Sequence, residues 1–306
     1  MQIPIMQLLT KQKIMVMLAI AALPFSSFAQ IDLFAEKEEP ITDKVTATFK
    51  TTRVVNGQSI ENVGAGILDF RILHRFGQLS DGAYNLFGLD QASIRLGLDY
   101  GITKNWMVGI GRSTFEKQYD AFTKLRLLSQ TTGGKNFPIS VSYAGTMIYK
   151  SVKNTNTAYV PYESDRLSFA HQLIIARKFG DYFSLQLTPT YFHYNVVATQ
   201  DLPNDFKSLG IASRVRLSKR LNMTGEYYYR FDKLPGYQNS LTLGFDIETG
   251  GHVFQLHVTN STGMTERTFI NETTGEWGKG NIRFGFNISR VFTVRKPKEF
   301  RNKAAL

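Results

Sequence analysis

The stretch Ala92-Ser93-Ile94-Arg95-Leu96-Gly97-Leu98-Asp99-Tyr100 alternates without a break. Side chains point to opposite faces of a strand, so Ala92, Ile94, Leu96, Leu98 and Tyr100 share one apolar face. Ser93, Arg95, Gly97 and Asp99 share a polar one. Roughly a dozen segments between residue 44 and residue 293 repeat this pattern, at about 44–54, 64–76, 88–101, 105–116, 118–130, 137–151, 163–179, 182–197, 205–219, 221–232, 238–249, 251–261 and 279–293. A soluble sheet has little use for so many long strands with one greasy and one charged face. A barrel in a bilayer turns the greasy face to lipid and the charged face to a wet lumen.

The start of the chain agrees with export. Lys11 and Lys13 precede an apolar run from Ile14 to Leu23, and Ser27-Phe28-Ala29 offers a small-x-small cleavage site before Gln30. The run is short of the ~20 residues that a membrane-spanning helix needs, which favours a cleaved leader over an anchor. The expected organisation is a signal peptide (1–29, cleaved after Ala29), a flexible periplasmic lead-in (30–43), a barrel (44–294) and a basic periplasmic tail (295–306).

Composition narrows the classes further. The chain of 306 residues has no cysteine, which excludes disulfides, thiolate metal sites and a lipobox anchor. Its mean hydropathy of −0.19 suits a barrel whose lipid-facing residues are diluted by lumen residues. The formal net charge is +11, with the basic residues spread singly through the strands. That distribution, together with export, excludes a nucleic-acid partner.

Thirteen segments conflict with the even strand number of single-chain bacterial barrels. Segment 44–54 is the weakest, because Thr46, Thr48, Lys50 and Thr52 alternate with Ala47, Phe49, Thr51 and Arg53, and neither face is apolar. The expected fold is therefore all-β: a transmembrane, antiparallel, up-and-down β-barrel of about twelve strands from residue 64 to 293. Segment 44–54 would lie in the lumen or at its periplasmic mouth. Fourteen strands is the alternative. Short connections near 103–105, 180–181, 219–220 and 249–251 alternate with longer ones at 77–87, 152–162, 198–204, 233–237 and 262–278, which orients the barrel with its long loops outside. Tyr100, Trp106, Tyr143, Tyr149, Phe183, Tyr191, Tyr227, Phe245 and Phe292 fall on the outward faces, often near strand ends, where amphipathic rings meet headgroups.

The inward faces carry the candidate functional residues: Asp69, Arg71, Arg95, Asp99, Lys124, Arg126, Arg214, Arg216, Glu226, Arg230, Asp246, Glu248, His257 and Arg283. Basic groups outnumber acidic ones. Two readings stay open. The basic groups could line a path for small anionic solutes. Alternatively the charges could pair across and fill the lumen, with Arg214 and Arg216 neutralising carboxylates such as Glu226, since twelve strands lie between the filled eight-stranded barrel and the open sixteen-stranded one. In that case the barrel is a sealed structural or interaction protein that holds a partner through the loops 152–162 and 262–278 or through its N-terminal segment. The five histidines show no HExxH spacing and no GxSxG occurs, so the expectation is no enzyme, no metal and no cofactor. The glycines Gly109 and Gly111 inside a strand are read as making room for a neighbour or a plug.

Six strings occur in order: His74-Arg75-Phe76-Gly77, Phe87-Gly88-Leu89-Asp90, Gly109-Ile110-Gly111-Arg112-Ser113 with Lys117 and Asp120 following, Ile175-Ala176-Arg177-Lys178-Phe179, Glu248-Thr249-Gly250-Gly251-His252-Val253-Phe254-Gln255 and Gly285-Phe286-Asn287-Ile288-Ser289-Arg290-Val291-Phe292. Together they resemble a family of uncharacterised outer-membrane β-barrel proteins of the Bacteroidota, a domain of unknown function, over about residues 45–294. The resemblance implies a barrel in contact with outer-membrane lipid and carries no substrate, cofactor or catalytic residue. One departure from general barrel practice is visible, because a basic tail follows the last strand with its Phe284, Phe286 and Phe292.

Overall fold

The computed structural model describes residues 40–295, apart from 156–159, 198, 200, 201 and 233. The expected leader, and most of the lead-in and tail, lie outside the described residues. The strands are β1 (Thr42–Lys44), β2 (Ile67–Gln78), β3 (Ala92–Gly101), β4 (Trp106–Ser113), β5 (Gln118–Leu128), β6 (Thr131–Gly133) and β7 (Ser140–Lys150). They continue with β8 (Leu167–Lys178), β9 (Phe183–Tyr194), β10 (Asp205–Arg216), β11 (Leu221–Arg230), β12 (Ser240–Thr249), β13 (His252–Thr259) and β14 (Arg283–Thr293). Twelve of them, all but β1 and β6, form one closed antiparallel barrel in chain order. Closure joins the last strand to the first, β14 to β2, from Thr293↔Ile67 to Arg283↔Gln78. Closure removes the unpaired edges that a bilayer cannot satisfy.

The period of two is realised in the wall. In β3, Leu96 and Leu98 are 45% and 40% exposed on the outer face, whereas Arg95 and Asp99 are fully buried on the inner one. All nine aromatics expected outside lie on outward register positions, and Trp106, Phe183, Tyr191, Phe245 and Phe292 are exposed there. The connections also alternate as expected. One end carries 79–91, 114–117, 151–166, 195–204, 231–239 and 260–282; the other carries short turns and both ends of the described chain. The β4–β5 turn is tight, and the β5–β7 connection at the opposite end is the roomier one. It contains β6, which pairs with β1 as a small two-stranded sheet outside the barrel wall.

Segment 44–54 supplies no wall strand, which accounts for the count of twelve. It belongs to residues 45–63, which run inside the barrel: Phe49, Arg53, Val54, Val55, Asn56, Gln58, Ser59 and Ile60 are at most 2% exposed. The small apolar cluster of Phe49, Val54 and Ile60 with the inward Ala144, Ile174, Ala176 and Ala212 lies between this segment and the wall. Wall alanines make sense there, because each small inward side chain yields width to the inserted chain. Loop 262–278 departs from expectation. Rather than standing outside to hold a partner, it folds inward, and Met264, Thr265, Glu266, Thr268, Phe269, Ile270, Asn271 and Thr273 are at most 1% exposed. Its buried Phe269 and Ile270 pack on Tyr228, and burying such apolar side chains is what draws the loop in.

Candidate functional site

The lumen is occupied from both ends, and its charged side chains hold the occupants. Residues 52–59 form a tight hairpin, closed by Ser59 N donating to the Thr52 carbonyl at 2.9 Å and Val54 N to that of Gly57 at 2.8 Å. Its backbone polar groups have left water and must be satisfied by the wall. Lys124, fully buried, donates to the carbonyls of Thr52 (3.1 Å), Ser59 (3.0 Å) and Glu61 (2.7 Å). Arg126 donates to the carbonyl of Ile60. Gln255 and Asn287 donate to the carbonyls of Val54 and Val55 at 2.6 and 3.1 Å. Asp99 accepts the Thr52 hydroxyl at 3.0 Å, and Arg71 donates to that same oxygen at 3.0 Å.

Glu226 holds the hairpin tip. Its carboxylate accepts the backbone N–H groups of Asn56 (2.8 Å), Gly57 (3.1 Å) and Val55 (3.4 Å). This corrects the expectation that Arg214 and Arg216 neutralise Glu226. Arg214 donates instead to Ser184 Oγ and Asn222 Oδ1 at 3.2 and 3.1 Å, and Arg216 to the Ser218 carbonyl at the short-turn mouth. The reason is depth: Arg214 pairs in register with Thr224 and Arg216 with Asn222, so both lie nearer the turn than Glu226, which pairs with Ala212.

The inserted loop closes the other half. Its Glu266 forms an ion pair with Arg53 of the hairpin at 3.2 Å, both side chains fully buried, so the two inserts are joined. Arg53 also lies 5.5 Å from the Phe122 ring centroid. Thr265 Oγ1 donates to Gln118 Oε1, and Arg230 donates to the Asn271 carbonyl at 2.9 Å. Near the long-loop rim, Arg267 pairs with Glu272 at 2.9 Å. Burial pushes the Glu272 carboxyl above its ordinary range, and the Arg267 charge opposes that shift.

The other expected residues also sit on the lumen face. Asp69 pairs with Arg71 at 3.3 Å, and Arg95 clasps Asp120 through Nε (2.8 Å) and Nη2. Asp246 accepts from Gln255 at 2.9 Å. Glu248 pairs with Lys50 at 2.7 Å beside a cavity of about 670 Å³ at the short-turn mouth. Arg283 reaches the Phe76 carbonyl at 3.4 Å. The two glycines act as expected: a side chain at Gly109 would meet Phe122 and Asp99, and one at Gly111 would meet the Arg95 guanidinium.

Sequence reasoning missed Arg75, although it continues the inward alternation Asp69, Arg71, Leu73. It also missed Asp120 on β5 and the pair Arg53–Glu266. Arg75 differs from the other lumen arginines in contact rather than in isolation, since the charges of Glu226 and Arg283 act on it from beyond ion-pair distance. It is fully buried, donates from Nη2 to Asn56 Oδ1 of the hairpin tip, and has no carboxylate at ion-pair distance among the described residues. Among the described residues its Nε and Nη1 make no hydrogen bond of good geometry, and neither does either ring nitrogen of the buried His257. His257, Gly285 and Arg75 are consecutive register partners across β13, β14 and β2. A side chain on Gly285 would press on His257 Nε2 and lie 2.9 Å from Arg75 Nη1, so both nitrogens converge over the bare Cα. Among the described residues no group of His, Asp and Glu has the arrangement of a metal site.

A family model described as "Membrane bound beta barrel domain (DUF5777)" matches residues 49–292. Among solved structures the chain is similar to the NanC porin, with 9% identity, a TM-score of 0.47, and coverage of 74% of this chain and 98% of that one. It is similar to the KdgM porin at 10% identity, with a TM-score of 0.45 and coverage of 74% and 99%. Against the OmpF porin of Salmonella typhi, in complex with daunomycin, identity is 8%, the TM-score 0.36 and coverage 74% and 97%. No curated protein matches the chain.

Proposed function

The chain belongs to the membrane-bound beta barrel family whose model it matches, and from that premise we propose that it is a plugged outer-membrane conduit for small anionic solutes. The observation that carries this reading is the pair Arg75 and His257. A buried guanidinium with no carboxylate in contact is costly, and among the described residues its hydrogen bond is to the amide oxygen of the plug's own Asn56, with Glu226 attracting it from farther off. An incoming anion competes with that amide for a full charge and for the His257 nitrogens beside it. The lumen that the wall encloses is then the permeation path, the hairpin and the inserted loop are its closure, and the proposal involves no catalysis or cofactor.

The test is single-channel recording in a planar bilayer across a salt gradient. The full chain is expected to open rarely, with current favouring anions. Deletion of residues 45–63 is expected to raise the conductance, and Arg75→Ala to reduce anion preference. A deletion variant that still folds, as judged by heat-modifiable migration on a gel, yet stays silent or prefers cations would refute the reading. One observation favours the runner-up, a sealed barrel that serves structure or interaction: the buried Arg53–Glu266 pair ties the two inserts together. That reading expects silence in every variant.

A further inference from the structure

The outer wall carries a site that the lumen reading does not use. Arg112 points outward from β4, one residue from its long-loop end, and is exposed. It is in register with Tyr119, which is in register with Tyr149, so the three form one row across β4, β5 and β7. Arg112 Nε donates to the Tyr119 hydroxyl at 3.2 Å, and the guanidinium lies 5.5 Å from that ring's centroid. No carboxylate is at ion-pair distance from it among the described residues. Below this row, Ile110, Ala121 and Met147 are register neighbours. The small Ala121 between two long side chains leaves a dent, and with Phe70, Leu96 and Leu98 it forms an apolar groove of about 550 Å³.

We propose that this groove binds one phosphorylated, acylated sugar lipid of the outer leaflet, its phosphate on Arg112 and an acyl chain over Ala121. Depth and charge select the occupant. The Arg112 row is at the aromatic level where headgroups begin, and the groove runs from it toward the middle of the wall. Tyr119 engages Nε and stacks on the guanidinium, which fixes the fork and leaves the two Nη groups to donate to two phosphate oxygens. An apolar helix or a neutral lipid would leave a charge at this level unpaired. A second copy of the barrel would oppose Arg112 to apolar wall, or to another Arg112.

The experiment uses the full chain refolded from urea into detergent, so that no co-purified lipid remains. It is titrated with diphosphorylated lipid A, with the same lipid dephosphorylated, and with phosphatidylglycerol, and bound lipid is read by native mass spectrometry. One diphosphorylated lipid A is expected per barrel, with affinity at least tenfold above the other two. Arg112→Leu is expected to remove that preference. Ala121→Leu, which fills the dent and keeps the charge, is expected to weaken binding as well. Arg290→Leu, at an exposed arginine that stacks on Phe292 near the opposite end, is the control and should bind as the parent does. Equal binding by folded Arg112→Leu and parent overturns the proposal. Equal binding of phosphatidylglycerol or of dephosphorylated lipid A also overturns it.

Discussion

Replacing Glu226 by glutamine tests whether the hairpin is held in the lumen by one carboxylate. Glu226 accepts three backbone N–H groups of the tip, at 2.8, 3.1 and 3.4 Å. Glutamine keeps one acceptor oxygen and turns an NH₂ group toward N–H donors. At about 1.5–3 kcal/mol for a hydrogen bond to a charged group, plus a buried donor left facing a donor, the docked hairpin should lose about 3 kcal/mol. At 1.36 kcal/mol per factor of ten, that raises the undocked population roughly a hundredfold. The chain has no cysteine, so Val55→Cys in the fully buried tip provides a unique thiol. Its reaction with a membrane-impermeant maleimide reports undocking, provided that opening and closing are fast relative to labelling. Val55→Cys with Glu226→Gln should label roughly a hundredfold faster than Val55→Cys alone. Equal rates for the two, in proteins that both shift with heat on a gel, would refute the argument that Glu226 anchors the tip.

Removing one partner of the buried Arg53–Glu266 pair strands a charge, so Glu266→Gln should cost about 3–5 kcal/mol and lower the temperature of the gel shift. Arg53→Met with Glu266→Gln should recover part of that loss. Gly111→Ala should lower the same temperature, because its Cβ would meet the Arg95 guanidinium that Asp120 holds, whereas Gly251→Ala should not, because nothing lies within 4 Å of that Cβ. The inserted loop should respond to pH through Glu272. A carboxyl whose folded value lies above its ordinary 4.5 contributes stability below that ordinary value and loses it as pH rises through the folded value. Hydrogen exchange of residues 267–273, corrected for intrinsic rates, should show better protection at mildly acidic than at neutral pH, and Glu272→Gln should flatten the difference. Better protection at neutral pH in the parent chain would contradict the assignment.

The wall of this protein is legible in its sequence because each strand declares its own faces. Ala92 to Tyr100 alternate whatever stands opposite them, so strand positions, the thirteen lumen-facing charges and His257 follow from local pattern alone. The same rule would have found Arg75, which continues the alternation from Asp69. What fills the lumen is another matter. Residues 45–63 show no apolar face, because Thr52 and Ile60 satisfy their carbonyls on β5, Val54 on β13 and Asn56 its N–H on β11, and such pairing exists only once twelve strands have closed. Loop 262–278 has the composition of an exposed connection, yet it is buried, since Phe269 and Ile270 find Tyr228 only inside the ring. The partner of each lumen charge was likewise a tertiary decision. Glu226 opposes backbone amides rather than Arg214 because barrel register sets their depths apart, and depth is a property of the closed sheet rather than of any one strand.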